Sequence, residues 1–317
     1  MRLVIALGGN ALASSGRPEG ADRQRERIAD AASAIADIAR VHEVVITHGN
    51  GPQIGFLAAQ NRFASELPIL PLDVLGAETE GMIGYWLESA LASIFPGSEL
   101  ATLLTQVEVA ADDPAFDRPS KPIGPCVSAA EAEVLTKRFG FVMAPVDGGL
   151  RRIVPSPRPL RIREDKTIEL LVDAGVLVIC AGGGGIPVVV TPGGGLHGVE
   201  AVIDKDLTAA VLAEKIRADR LLLLTNVPAV YADWPTPCER LIHKAHPDAL
   251  AAIEFEPGSM GPKVEAAVAF AKETGRPACI GALEEARRVL EGEAGTWVSI
   301  EERGLEEARA EARPAIR

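Results

Sequence analysis

The stretch LVIALGGNAL at residues 3–12 is the clearest indication of the fold class. Its first five residues are apolar without alternation, which is typical of a strand buried on both faces of a parallel sheet. The strand runs directly into Gly8, Gly9 and Asn10, residue types that form tight turns and leave backbone N–H groups open to an anion. The same order of buried strand and glycine turn recurs in VVITHGNG at residues 44–51 and in VLVICAGGGG at residues 176–185.

Segments with helical periodicity separate these strands. Apolar residues recur at helical spacing through residues 22–40, and further helices are predicted at residues 79–94, 207–216 and 262–274. Additional buried strands are predicted at residues 100–104, 220–224 and 277–280, the last of them being the final strand of the core. This alternation predicts an α/β fold with a mainly parallel sheet covered by helices on both sides.

Two segments break this rhythm. Residues 114–163 are rich in Pro and basic residues, which indicates an inserted subdomain or lid rather than a part of the sheet core. Residues 301–317 are charged and rich in Ala, and we expect a surface helix there.

The composition excludes several classes of partner. The formal net charge of −12 disfavours binding to a phosphate backbone, and aromatic residues, at 4%, are too few for a base-stacking surface, so we expect no nucleic-acid partner. No apolar stretch reaches the roughly 18 residues that a membrane span needs, so we expect no membrane partner and a cytoplasmic protein. The four cysteines form no CxxC pair, and we expect them to be buried free thiols: Cys126, Cys180, Cys238 and Cys279.

The three glycine turns predict a phosphate-binding site. Ligands of a parallel α/β sheet bind beyond the carboxyl ends of its strands, where all three turns would lie. Glycine backbones let N–H groups approach an anion closely, so three such turns on one sheet suggest a cradle for a polyphosphate. Neither a GxxxxGK[S/T] motif nor a spaced GxGxxG dinucleotide fingerprint occurs in the chain.

Three lysines are candidates for neutralising charge during phosphoryl transfer. Lys205 and Lys263 are each predicted to open a helix, where a positive charge opposes the helix dipole unless an anion lies nearby. Lys121 lies in the proposed lid. Asp204 is suited to capping the helix that Lys205 opens, whereas Asp206 is suited either to orienting the lysines or to placing Mg²⁺. Each of these lysines, taken alone, is better explained as a solvated surface charge, and the functional interpretation depends on taking it together with the glycine turns.

His48 also lies at the end of a predicted strand. An imidazole there could act as an acid or a base, but we favour a structural role in which a ring nitrogen bonds to nearby backbone. An anionic nucleophile would need no strong base.

The motifs, taken together, resemble those of the carbamate kinases, a family of the amino acid kinase superfamily. The matching runs lie in the family's order and extend to about residue 299. They are ALGGNAL at 6–12, THGNGPQIG at 47–55, SKPIGP at 120–125, RRIVPSP at 151–157, ICAGGGGIPV at 179–188, GVEAVIDKDLTAA at 198–210 and GSMGPKVEAA at 258–267.

This resemblance implies a particular architecture. We expect three α/β/α layers around an open, mainly parallel sheet of about eight strands, with two lobes and a protruding lid subdomain. The lobe for the phosphate acceptor would comprise residues 1–215, including the lid at about 114–163, and the nucleotide-binding lobe would comprise residues 216–317. The resemblance also implies a homodimer.

The resemblance further implies reversible phosphoryl transfer, in which ADP and carbamoyl phosphate give ATP and carbamate. ATP or ADP would be the nucleotide substrate together with Mg²⁺, for which no ligands are identified. The ATP-forming direction would serve the catabolism of arginine or related nitrogen compounds.

The resemblance assigns roles to residues by match of motif. Lys205 and Lys263 would neutralise the transferring phosphoryl group, Asp206 would organise them, and Lys121 would reach in from the lid. The residues expected to line the phosphate and carbamate site are Gly8, Gly9, Asn10, Gly49, Asn50, Gly51, Gly183 and Gly184. Those expected to contact the nucleotide are Asn226, Tyr231, Met260 and Gly261.

Three alternatives stay open from the residues alone. The first is an amino acid kinase with a different small carboxylate or phosphate acceptor, which the KPIGP run in the lid disfavours. The second is a dinucleotide-binding oxidoreductase, which would leave the lysines unexplained. The third is a catalytically silent binding or regulatory module, which the presence of Lys121, Lys205, Asp206 and Lys263 disfavours.

Overall fold

The computed structural model describes residues 1–12, 20–63, 68–146, 148–236, 238–255, 258 and 260–309. Within these ranges the chain forms ten α-helices: α1 Gly9–Leu12, α2 Ala21–Ala39, α3 Gly51–Phe63, α4 Leu72–Ile94, α5 Ala129–Phe139, α6 Asp165–Asp173, α7 Lys205–Lys215, α8 Pro247–Ala251, α9 Met260–Thr274 and α10 Ala286–Glu291. Short 3₁₀ turns occupy Gly182–Gly184 and Leu283–Glu285.

The same ranges contain 17 strands: β1 Arg2–Leu7, β2 Glu43–His48, β3 Leu100–Thr102, β4 Gln106–Glu108, β5 Lys121–Val127, β6 Val142–Val146, β7 Gly149–Val154, β8 Arg161–Ile162, β9 Leu177–Ile179, β10 Ile186–Val190, β11 Leu196–Gly198, β12 Arg220–Thr225, β13 Val230–Ala232, β14 Arg240–Ala245, β15 Ala278–Ala282, β16 Thr296–Val298 and β17 Leu305–Arg309.

Ten of the described strands form one large sheet. Their spatial order is β13, β14, β16, β15, β12, β1, β2, β9 and β3, with β17 paired to β14. The run from β15 to β3 is parallel throughout, and antiparallel pairing joins only β13 to β14, β14 to β17 and β15 to β16 among the described strands of this sheet. The predicted α/β class with a mainly parallel sheet is confirmed, with ten strands where about eight were expected.

Alternate residues of β1 show that helices cover both faces of the sheet. Val4 and Ala6 belong to one buried cluster, together with residues of α7 and α9 such as Leu212 and Phe270. Leu3, Ile5 and Leu7 belong to a second buried cluster, which includes residues of α2, α4 and α10. The unbroken apolar run of β1 therefore follows from burial on both sides.

A small three-stranded sheet stands apart from the large one. Its order is β5, β7, β6, and α5 packs against it around a buried cluster of Val127, Ala132 and Leu135. The first residue of β5, Lys121, pairs in register with Val154 at the end of β7. The chain therefore enters and leaves this sheet at one place, which we call the root of the small sheet. A further sheet of four strands has the order β11, β10, β4, β8.

The prediction of a helix at residues 301–317 is wrong over its described part. Residues 305–309 form β17, which pairs antiparallel with β14 and with it extends the large sheet. Ion pairs from Lys244 to Glu306 and from Arg240 to Glu307 join the two strands. An open sheet edge with complementary charges overrides the helical composition of this segment. Residues 310–317 lie outside the described part. The prediction that residues 277–280 form the final core strand is also wrong, because β16 and β17 follow.

The cysteines only partly follow the prediction. Cys180 and Cys279 are buried free thiols, whereas Cys126 and Cys238 are exposed, so burial was wrongly expected for those two. Cys126 lies on the small sheet, where a three-stranded layer has too little depth to cover it. Among the described helices none is both long and apolar enough to cross a membrane.

Candidate active site

The first two glycine turns meet at the carboxyl ends of the central strands. Because β1 runs parallel to both β2 and β12, the Gly49 N–H donates to Leu7 O at 2.9 Å and the Gly8 N–H donates to Leu224 O at 2.8 Å. A Cβ on Gly49 would lie 2.6 Å from the Gly9 nitrogen. Only glycine allows the two turns to approach so closely, and the floor of the site between them is backbone.

The third turn, at Gly182–Gly184, closes over the same edge of the sheet. Gly183 has φ +68° and lies against the Asn50 side chain, which leaves no room for a Cβ. Gly184 has φ +97°, and a Cβ there would lie 2.7 Å from Ile203 O. The structure therefore brings together all three turns that were predicted to form a phosphate cradle.

Two further predicted residues lie at the start of α3. Asn50 is buried and donates from Nδ2 to Thr79 Oγ1 at 2.9 Å, which fixes its side chain beneath the third turn. Gly51 opens α3 and has open space where a Cβ would be. Asn10 lies in α1 by its backbone, and its side chain is outside the described part of the structure.

Asp206 joins two of the predicted lysines. Its Oδ1 accepts from Lys205 Nζ at 2.7 Å and its Oδ2 accepts from Lys263 Nζ at 3.0 Å. The carboxylate is buried, with 3% of the residue exposed, and Lys263 is 9% exposed. The first turns of α7 and α9 thus place two ammonium groups on one carboxylate, as expected for a residue that organises the lysines.

The two ammonium groups differ in their proton affinity. Burial lowers the pKa of Lys205, but the carboxylates of Asp206 and Asp204 outweigh this effect and hold that pKa above its usual value. Burial and the nearby charge of Lys205 lower the pKa of Lys263 below its usual value. Lys205 therefore keeps its positive charge to higher pH than Lys263 does.

The lysine of the small sheet also reaches this cluster. Lys121 Nζ donates to Asp204 Oδ2 at 3.0 Å and to Ile203 O at 3.2 Å. Asp204 is the N-cap of α7 and its Oδ1 accepts from the Asp206 N–H at 2.9 Å, as the sequence predicted. Burial opposes ionisation of Asp204, yet the ammonium groups of Lys121 and Lys205 hold its pKa well below its ordinary range.

The residues predicted to contact a nucleotide lie between the end of β12 and the beginning of α9 along the chain. Met260 and Gly261 form the beginning of α9, in the same turn as Lys263. Asn226 follows the last residue of β12, at the carboxyl edge of the sheet. Tyr231 lies on β13, with its ring centroid 5.8 Å from that of Trp234. Asn226 therefore lies in a loop and Tyr231 on a strand, whereas Met260 and Gly261 lie on a helix.

Glu80 is a buried residue that sequence reasoning missed. Its carboxylate accepts from the Gly182 N–H at 2.8 Å and from the Thr105 N–H at 3.2 Å, and thereby holds the third glycine turn to the β3–β4 connection. Burial raises the pKa of Glu80 to about 8. The spacing of Glu80 from Ile83 and Leu87 on α4 puts it on the apolar face, and this signal could have identified it.

His48 has the structural environment that was expected. Its Nδ1 lies 3.3 Å from Gly49 O, and its Nε2 is buried without a partner among the described residues. Complete burial lowers the pKa of His48 to about 4, so the ring is neutral near pH 7. It packs against Gly182, where a Cβ would overlap the imidazole.

A metal ion held by the chain itself would need a set of ligand side chains among the described residues of the site. Within the described ranges no group of three or more His, Cys, Asp and Glu side chains could hold a metal ion. The two carboxylates of the lysine cluster, Asp204 and Asp206, both accept from lysine ammonium groups, and Glu80 accepts from backbone N–H groups. The donor set of the site therefore fits an anion rather than a resident cation.

Known proteins share both this sequence and this fold. The model of the amino acid kinase family matches residues 1–282. A carbamate kinase from Haemophilus influenzae is 48% identical over 306 residues, which cover 96% of this chain and 99% of that protein. A carbamate kinase from Rhizobium meliloti is 51% identical over 302 residues, which cover 94% of this chain and 93% of that protein. The structure of a carbamate kinase from Giardia lamblia bound to AMP-PNP is similar with a TM-score of 0.87 and 39% identity, covering 94% of this chain and 98% of that one.

Proposed function

The chain belongs to the carbamate kinases of the amino acid kinase family, and we propose from this premise that its site transfers a phosphoryl group between ATP and carbamate through three lysines. The enzyme is a phosphotransferase. One observation supports the assignment of the site most directly. Lys205 and Lys263 share the buried carboxylate of Asp206 at the edge of the sheet where glycine backbones form the floor.

The chemistry requires charge neutralisation rather than proton transfer. In the ATP-forming direction, a β-phosphate oxygen of ADP attacks the phosphorus of carbamoyl phosphate, the P–O bond to the carbamoyl group breaks, and carbamate leaves as an anion. Nucleophile and leaving group are both oxyanions, so no base is needed and the neutral His48 takes no part. Lys205 and Lys263 donate to the non-bridging oxygens of the transferring group, where negative charge is spread in the transition state.

The glycine turns supply the second part of the site. Gly8, Gly9, Gly49 and Gly51 are proposed to line the phosphate and carbamate end, with Gly183 and Gly184 closing above Asn50. The backbone N–H groups of Gly9 and Gly51 would donate to the substrate, because those of Gly8 and Gly49 already donate to strand carbonyls. Such donors are fixed by the sheet before any substrate binds, so little reorganisation is needed at the moment of reaction.

We assign the parts of the chain accordingly. Residues 1–215 form the acceptor lobe, and residues 216–317 form the nucleotide lobe with Asn226, Tyr231, Met260 and Gly261 as nucleotide contacts. Residues 114–163 form a lid that carries Lys121. The support is the strand order. The strands β12 and β15, which α9 with Lys263 contacts, lie on one side of β1, and β2 and β9 lie on the other.

Mg²⁺ is proposed to arrive with the nucleotide. Its ligands would be phosphate oxygens and water, because the described carboxylates of the site are already paired with lysines. Mg²⁺ commonly keeps several waters and binds through substrate phosphates. The metal is in this sense part of the substrate.

We further propose that the protein is a cytoplasmic homodimer that forms ATP during the catabolism of arginine or related nitrogen compounds. A second copy could pair with β3, the last strand in the order of the large sheet, where Tyr85 on α4 is 61% exposed and Leu104 is 54% exposed. Tyr85→Arg should then lower the mass in sedimentation to that of one chain, whereas Leu170→Arg, at an exposed leucine of α6, should not. Equal masses for both variants and the parent would contradict this interface.

A coupled assay tests the proposed reaction. Purified protein with MgADP and carbamoyl phosphate should form ATP, and the reverse reaction with labelled ATP should phosphorylate carbamate but neither acetate nor UMP. Removal of Mg²⁺ with EDTA should abolish both reactions. Absence of ATP formation at micromolar enzyme would refute the proposal. Phosphorylation of a different acceptor alone would show that the enzyme catalyses a different kinase reaction.

A further inference from the structure

We propose that Asp204 is a positioning residue for the reaction, which holds the ammonium group of Lys121 at the acceptor end of the site. The inference rests on the proposed function and extends it to a residue outside the set assigned to the chemistry. Its basis is that the two oxygens of this one carboxylate have separate partners.

One oxygen of Asp204 serves the helix and the other serves the lid. Oδ1 accepts from the Asp206 N–H at 2.9 Å, which satisfies one of the free donors at the start of α7. Oδ2 accepts from Lys121 Nζ at 3.0 Å. A capping residue needs only the first contact, so the second is an additional task that a neutral cap such as Asn or Ser would not perform.

The ammonium group of Lys121 keeps one donor for a substrate. It has three N–H donors, and within the described structure Ile203 O and Asp204 Oδ2 take two of them. The Lys121 side chain is 28% exposed and that of Asp204 is 19% exposed, so the pair borders the open part of the site. Two fixed acceptors define the direction of the third N–H, which is the one available to an oxyanion.

The charges of the cluster fit this role. Lys121, Lys205 and Lys263 carry three positive charges, Asp204 and Asp206 carry two negative charges, and the difference is one net positive charge. Asp204 binds Lys121 and Asp206 binds Lys263, and both lysines come from distant parts of the chain. Lys205 lies between the two aspartates in sequence. Neutralising Asp204 would make the cluster more positive, so anion binding would not weaken even though Lys121 lost its direction.

The root of the small sheet is anchored independently of Asp204. Val202 N–H donates to Pro155 O at 3.0 Å, and Arg152 forms an ion pair with Glu200 at 2.6 Å. Loss of the Lys121–Asp204 pair would therefore release a side chain rather than the whole lid.

A double-mutant cycle with Asp204→Asn and Lys121→Met tests the proposal. Asparagine caps a helix as well as aspartate does but carries no charge, and Asp204→Ser provides a second neutral cap. We expect Asp204→Asn to lower kcat for ATP formation about 10- to 100-fold without raising KM for carbamoyl phosphate, as for a misplaced catalytic group. In the Lys121→Met background the same substitution should change kcat less than twofold.

Three other results have distinct meanings. A wild-type protein that forms no ATP refutes the proposed function itself. An active wild type in which Asp204→Asn has equal effects in both backgrounds overturns the inference, because Asp204 then acts only through α7. An unchanged kcat in both Asp204→Asn and Asp204→Ser overturns it as well. Glu200→Gln, which removes the ion pair with Arg152, is the matched control and should retain kcat within about twofold, because the Glu200 carboxylate is half-exposed and, in the described part of the chain, forms no ion pair with the lysine cluster.

Discussion

The Nζ of Lys263 donates to Oδ2 of Asp206 at 3.0 Å, although the two residues are 57 positions apart and open different helices. Two lysines in first helical turns would each be unfavourable alone, because the helix dipole is positive at that end. The shared buried carboxylate offsets the dipole and sets the spacing between the ammonium groups. The cluster is thus assembled before any phosphate binds.

Replacement of Lys205 should remove most of the activity. We expect Lys205→Ala to lower kcat at least about 10²-fold, which is the scale of losing a charge partner of the transition state. Steady-state kinetics of ATP formation measure the effect. Lys215→Ala, at the exposed end of the same helix, is the matched control, and similar losses in both variants would remove Lys205 from the mechanism.

Replacement of Asp206 should shift the pH profile of the reaction. The carboxylate of Asp206 raises the pKa of Lys263 against the effects of burial and of Lys205, so Asp206→Asn should lower that pKa. Lys263 then loses its charge at lower pH, and the alkaline limb of the kcat profile moves toward neutrality. Glu214→Gln, on the exposed part of α7, should leave the limb in place. An unmoved limb in Asp206→Asn would contradict a catalytic charge on Lys263.

A methyl group on Gly49 should destabilise the protein. Its Cβ would lie 2.6 Å from the nitrogen and 2.7 Å from the Cα of Gly9, and backbone atoms at two strand ends cannot move aside easily. We expect Gly49→Ala to lower the free energy of unfolding by about 1–3 kcal/mol, as overpacking does. Gly76→Ala in α4, where a Cβ meets no atom within 4 Å, should instead raise it by about 0.5–1 kcal/mol. Urea unfolding distinguishes the two, and equal effects would refute the close approach.

Glu80 should make stability depend on pH above neutrality. The pKa of Glu80 in the folded protein, about 8, lies above the ordinary value of 4.5. Its contribution to the free energy of unfolding is therefore complete below pH 4.5 and is lost as the pH rises through 8. His48 acts in the opposite sense at lower pH, because its lowered pKa favours the fold above pH 6.5. The window between pH 6.5 and 8 therefore isolates Glu80 from His48.

In that window the free energy of unfolding of the wild type should fall relative to Glu80→Gln. The limiting slope is about 1.4 kcal/mol per pH unit for one proton. Urea unfolding of both proteins at several pH values gives the difference. Parallel curves for the two proteins would show that Glu80 is ionised throughout.

The sequence predicted the sheet core and the lysines for identifiable reasons. Strands such as β1 and β12 are buried on both faces, so their apolar runs have no interruption, and Lys205 and Lys263 stand out against the dipole of their helices. Asp206 was predicted as the partner of Lys205 and Lys263. The partner of Lys121 was not predictable, because Lys121 and Asp204 are 83 positions apart and meet only in the folded chain. The strand β17 was missed because its composition favours a helix and the open edge of β14 decides otherwise.

The root of the small sheet has a mechanical consequence. Lys121 pairs with Val154 where the chain enters and leaves that sheet, whereas Val127 pairs with Leu150 at the far end of β5, about 20 Å away for a strand of this length. A rigid rotation about the root sweeps the far end through a wide arc and leaves Lys121 close to the axis. In the proposed lid, Lys121 would thus lie on the short arm of a lever. Such a rotation would admit substrates beneath the long arm and leave the ammonium group on Asp204.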